Sequence, residues 1–181
     1  MKNLMLLMII TILAFFSSRL EAQVYGYNNF TITIENICSV RIFPAATISL
    51  NLLASTAGNS MITQSNASTY MQFTSIAPEN ETRRVTAIVG AGNVPAGTLL
   101  QLSAGACTTG LGALGTPSTI ITLDRSAQRN LITGIGSCYT GTTPTSGYNL
   151  VYSWGVDPSN YTQLRATSSV SITITFTVLS L

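Results

Sequence analysis

Very few side chains in this sequence can do chemistry. There is no histidine, which removes Ser-His, Cys-His and imidazole acid–base schemes. The single lysine, Lys2, lies in the N-terminal leader, so a Ser-Lys dyad or a Schiff base is excluded from the remainder. Proton transfer is left to Glu35, Glu79, Glu81, Asp124 and Asp157, to tyrosines, and to thiols. Two carboxylates about 5–10 Å apart would suffice for glycoside hydrolysis. However, Glu79 and Glu81 sit in Pro78-Glu-Asn-Glu, a solvated turn, and Asp124 precedes Arg125 at a strand end. The expectation is a protein that is not an enzyme.

Metal and cofactor chemistry fare no better. Zinc calls for His or clustered Cys, and calcium for several converging oxygens. Asp157-Pro-Ser-Asn160 offers only a thin cluster and reads as an Asx turn. The Gly-rich stretches carry neither a Walker lysine nor a following helix. No cofactor is expected.

Three cysteines, Cys38, Cys107 and Cys138, allow one disulfide and one spare thiol in an oxidising compartment. Cys107 and Cys138 each follow a small, Gly-rich segment at a strand end, and they are the expected pair. Cys38, after the alternating run Phe30–Asn36, reads as a buried small hydrophobe. Pairing of Cys38 with either of the others stays open, since sequence does not decide connectivity. Tyr148, Tyr152 and Trp154 share one parity with Leu150. They form either a cover for the core or a stacking face for a glycan. Asn-X-Ser/Thr triplets occur at Asn29, Asn66, Asn80 and Asn160, where glycosylation would depend on the host.

The elements that hold these residues are strands. Period-two alternation recurs over Phe30–Asn36, Thr47–Leu52, Thr69–Ser75, Arg84–Val89, Thr98–Ser103, Thr119–Leu123, Asn130–Ile135, Asn149–Trp154 and Val170–Leu179. Between them stand turn residues, as in Gly90–Gly97, Gly110–Pro117, Gly141–Gly147 and Asp157–Asn160. No window carries a sustained helical stripe; one helical turn is expected near Ser126–Arg129. The fold class is all-β, an antiparallel two-sheet sandwich. The last strand is the clearest, with Val170, Ile172, Ile174, Phe176 and Val178 opposite Ser171, Thr173, Thr175 and Thr177. It is an ordinary sandwich strand, or else it, or the segment 23–29, adds to a neighbouring subunit's sheet.

Compartment comes from the first 22 residues. Lys2 precedes an apolar run, Leu4–Phe16, of 13 residues, too short for a bilayer core that takes about 20. Ala22 is small enough to precede a cleavage site, so residues 1–22 read as a signal peptide. Residues 23–29 then form an N-terminal extension and 30–181 a single sandwich domain. The expected location is secreted or cell-surface, with the periplasm included, and without stable membrane insertion. After Ala22, six arginines face five carboxylates, a net of +1. A field that weak argues against nucleic acid or anionic membranes as partners.

The early alternating strand leading to Cys38, the Thr/Ser/Gly-rich body and the alternating last strand resemble secreted bacterial pilus and surface-fibre subunits, of the chaperone–usher and spore-coat-protein-U-like kinds. The likeness covers most of residues 23–181 and rests on pattern. It implies an immunoglobulin-like sandwich that polymerises by strand donation, with other copies or related subunits and an assembly chaperone as partners. It also implies a disulfide that uses the early cysteine, Cys38. Such pilins carry an aromatic residue beside the C-terminus, where this chain closes Leu179-Ser-Leu181. The alternative reading is a monomeric carbohydrate-binding module using the Tyr148/Tyr152/Trp154 face. Two segments, Val94–Thr98 and Ile132–Gly141, stand out in composition, and the sequence assigns neither a role.

Overall fold

A computed structural model describes residues 30–53 and 56–181. The expected signal peptide (1–22) and the expected extension (23–29) lie outside the described residues. The chain divides into two units, Met1–Ile34 and Glu35–Leu181. In the first, Phe30, Ile32 and Ile34 are exposed and belong to no strand.

The second unit is antiparallel β-structure in two sheets. Its strands are β1 (Ile37–Phe43), β2 (Gln64–Ile76), β3 (Arg83–Ala91), β4 (Thr98–Ala104), β5 (Leu111–Gly112) and β6 (Thr116–Pro117). They continue with β7 (Ile121–Leu123), β8 (Arg129–Ile135), β9 (Cys138–Tyr139), β10 (Tyr148–Val156) and β11 (Thr173–Ser180). The larger sheet runs β5-β9-β2-β10-β4-β7, with β1 on the other side of β2; the smaller runs β11-β3-β8-β6.

Alternation drives the packing. In β4, Thr98, Leu100, Leu102 and Ala104 are buried and the residues between them half-exposed. In β10, Tyr148, Leu150 and Tyr152 do the same. The register then sets Leu150 beside Ala104, Tyr152 beside Leu102 and Trp154 beside Leu100, so like faces meet on one side of the ladder. Opposite them, the smaller sheet supplies Val85, Ala87 and Val89 from β3 and Leu131, Ile132 and Ile135 from β8. Each fully buried aliphatic side chain contributes about 1.5–3 kcal/mol.

Seven of the nine expected strands coincide with or overlap observed ones. Two do not. Residues 30–36 belong to no strand, and β1 begins only at Ile37. Thr47–Leu52 keeps its alternation, with Ile48 and Leu50 packed on the core, yet joins no ladder. Periodicity reports where side chains find apolar surroundings; a strand also needs a hydrogen-bonding neighbour. The bridges β5, β6 and β9, two residues each, are too short to show a period.

The helical turn expected at Ser126–Arg129 is instead an Asx turn. Asp124 Oδ1 accepts from Ser126 N at 2.7 Å and Ser126 Oγ at 2.6 Å. Asp157, expected to make such a turn, caps a 3-10 helix over Pro158–Gln163 by accepting from Ser159 N. Among the described residues, no helix is long and apolar enough to cross a membrane.

Candidate functional site

The three cysteines are free thiols in the structure, which corrects the expected Cys107–Cys138 disulfide. The ladder explains where they stand. Cys38 on β1 lies opposite Ser75, and Ser75 lies opposite Cys138 on β9. One row therefore reads Cys38–Ser75–Cys138, with Gly112 of β5 beyond it. Two ladder spacings put Cys38 and Cys138 roughly 10 Å apart at Cα, outside disulfide reach of about 7 Å. Cys107 lies in the loop after β4, where its thiol donates to Thr109 O of the same loop at 3.1 Å. Cys38 is exposed, not the buried small hydrophobe expected, while Cys138 is buried. Burial pushes the Cys138 thiol up, and the nearby Cys107 adds to the shift, so Cys138 is a poor thiolate at neutral pH.

The aromatic face turns inward. Tyr148 is 0% and Tyr152 6% exposed. The Tyr148 ring stacks on Phe73 with centroids 5.5 Å apart and planes at 15°, and its hydroxyl donates to Leu114 O. Burial raises the pKa of both phenols. Trp154 is half-buried, and its indole N–H finds no acceptor among the described residues. The parity of these residues is as read from sequence, but the side they occupy is the core. The two tyrosine rings are covered and present no stacking face, while Trp154 is only part-covered.

The carboxylates do structural work. Asp124 accepts from Ser126, Ala127 and Arg129, the last at 3.2 Å. The Ser126 hydrogen bonds, chiefly, hold its pKa down at about 2. Glu79 and Glu81 are exposed in the turn between β2 and β3. Among the described residues, no three His, Cys, Asp or Glu side chains gather into a metal-sized group.

A residue that sequence reading passed over organises one end of the sandwich. Arg83, at the start of β3 in the smaller sheet, is only 3% exposed. Its Nη1 donates to Ile37 O and to Ser75 Oγ, and its Nη2 to Ile76 O and Asn36 Oδ1. Three of these acceptors lie in the larger sheet and the fourth, Asn36, just precedes it; among the described residues there is no carboxylate partner. In the sequence Arg83-Arg84 reads only as charge at a strand start, and nothing in it signals burial. A second pin is Gln72, 3% exposed, whose Nε2 donates to Thr143 O and Ser146 O while Oε1 accepts from Arg41 Nε. It fastens the Gly141–Gly147 turn to β2.

Several sheet edges stay open among the described residues. β1 pairs only with β2, and β11 only with β3. β1 is exposed at every position but Ile42. Comparison of the chain with protein-family models, with curated proteins and with solved structures finds no match in any of the three.

Proposed function

We propose that this chain is an exported, non-catalytic structural or adhesive protein of the cell surface, a fibre subunit with an immunoglobulin-like fold that assembles by strand addition. One observation carries the reading. Phe30, Ile32 and Ile34 are 82%, 85% and 79% exposed, alternate with Thr31, Thr33 and Glu35, and belong to no strand. Leaving three large apolar side chains in water forgoes about 1.5–3 kcal/mol each. Seating them on a second copy would recover that energy and give their backbone a ladder.

The two long open edges, β1 and β11, supply acceptors. An unpaired edge invites a strand from another chain unless it is blunted, and β1 carries exposed Ile37, Val40 and Phe43 with no proline. β11 pairs along its whole length with β3 of its own sheet, which suits an acceptor better than a donor. The donor is therefore the N-terminal region reaching through residue 34. Other copies or related subunits are the partners, delivered by an assembly chaperone.

Sedimentation and electron microscopy of protein beginning at Gln23 test this. Concentration-dependent oligomers or fibres are expected, and a protein beginning at Glu35 should remain monomeric. A monomer at high concentration in both would refute strand addition.

A further inference from the structure

Gly92 and Gly97 pin one loop at both ends. Gly92 has φ +77°, and a Cβ there would lie 2.2 Å from Ser171 O; Gly97 has φ +75°, and its Cβ would lie 2.7 Å from Leu164 N. The backbone of residues 92–97 thus touches that of 164–171 at two points where only glycine fits. Between those points the two segments bow apart and leave an open pocket of about 490 Å³.

Both walls are held. Pro95 O accepts from Thr98 N at 3.1 Å and from Thr98 Oγ1 at 2.7 Å. Gly97 O accepts from Asp157 N at 2.9 Å. On the facing wall, Arg165 Nη1 donates to Thr162 O at 2.7 Å and Leu164 O at 2.8 Å. Arg165 is exposed, and its Nη2 and Nε have no acceptor among the described residues. Among the described residues, no carboxylate lines the pocket. A second guanidinium, Arg125, lies over the same loop, 3.4 Å from Gly92 O. Around Arg165 the lining is apolar at Val94, Pro95 and Val170 and amide-bearing at Asn93 and Gln163.

We propose that this pocket binds an acidic sugar, a pyranose carrying a carboxylate. A guanidinium held by two carbonyls and free along its remaining N–H groups suits a carboxylate. Proline and valine surfaces take the C–H face of the ring, and Asn93 and Gln163 can pair its hydroxyls. The volume falls in the range of small-molecule sites, about 300–1,000 Å³, with room for one or two sugar rings. The site gives the Val94–Thr98 segment a role, and it holds whether or not the chain polymerises.

Titration of ¹⁵N-labelled protein with D-glucuronic acid, its methyl ester and D-glucose decides it. Glucuronic acid should shift the amides of Asn93, Val94, Ala96 and Gln163–Ala166 in a saturable way that weakens with salt. The ester and glucose should bind at least tenfold more weakly. Arg165→Gln should lose at least tenfold in affinity for the acid, with Arg165→Lys between it and the native protein. Equal response to acid and ester, no response at these amides, or an unaffected Arg165→Gln protein would overturn the proposal. The ligand series decides by itself if the variant fails to fold.

Discussion

Arg83 Nη1 donates to the carbonyl oxygen of Ile37 at 2.7 Å, so the first residue of β3 in one sheet holds the first residue of β1 in the other. The guanidinium is buried without an anion among the described residues. Its charge is met by the carbonyls of Ile37 and Ile76, the hydroxyl of Ser75 and the amide oxygen of Asn36. This clamp fixes the start of the open edge strand.

Replacing Arg83 with methionine keeps the apolar stem but strands four acceptors. Hydrogen bonds to a charged group are worth about 1.5–3 kcal/mol each, and unsatisfied buried partners cost about 1–3 kcal/mol. Water reaching the vacated end offsets part of this. The expected loss is about 3 kcal/mol in urea denaturation, with faster amide exchange at Cys38–Val40. Arg83→Lys should recover less than half. A change under about 0.5 kcal/mol, the range of ordinary surface substitutions, would show that the clamp is dispensable.

Strand addition makes a parity prediction. Phe30, Ile32 and Ile34 share one side of the alternation, and Thr31 and Thr33 the other. Ile32→Asp should abolish assembly in sedimentation, whereas Thr33→Asp, on the opposite face, should leave it largely intact. Equal effects of the two would mean that the segment does not seat as a strand.

Thiol and phenol environments predict the alkaline behaviour. Cys138, Tyr148 and Tyr152 all have raised pKa values in the fold, first of all through burial. The unfolded chain therefore releases these protons at lower pH than the native one. Their stabilisation is complete below the unfolded values, about 8.5 for thiol and 10 for phenol, and is lost as pH rises through the raised native ones. The urea midpoint should fall steeply above about pH 9, less steeply in Tyr148→Phe. At pH 8 iodoacetamide should label exposed Cys38 promptly and Cys138 only on unfolding. Prompt labelling of Cys138 would contradict its placement between Ser75 and Gly112.

At acid pH the group to follow is Asp124, lowered from 3.8 to about 2 by its Ser126 bonds first. Its contribution is present above the unfolded value and lost as pH falls through about 2. Because the group is solvent-exposed the effect is small. Asp124→Asn should flatten the acid limb of the urea midpoint slightly, and a large change would point to a buried role for this turn.

Gly97→Ala tests the pin beside the pocket. The left-handed conformation alone costs an L-residue about 1–2 kcal/mol, and the new methyl would press on the Leu164 backbone. A loss of about 2–3 kcal/mol is expected in thermal or urea unfolding, with altered amide shifts at Asn93–Ala96. A neutral result would show that the two segments do not meet there.

Alternation along the chain sets the all-β class and the inward faces of β4 and β10, with one half-buried side of β11. Thr98–Ala104 and Tyr148–Val156 were legible because alternate side chains are apolar over Leu100–Ala104 and Tyr148–Trp154, and burial of one face follows over most of each strand. The same signal at residues 30–36 and at Thr47–Leu52 produced no strand, because ladders need a partner that periodicity cannot name. For the aromatics, sequence determined that Tyr148, Tyr152 and Trp154 share a face; only the packing of the second sheet decided that this face is the core. Tertiary structure alone separated Cys38 from Cys138 by Ser75, buried Arg83 among carbonyls, and brought residues 92–97 against 164–171. Local pattern encodes the environment of a side chain, whereas these relationships depend on which distant backbones cross, and that is settled by the fold as a whole.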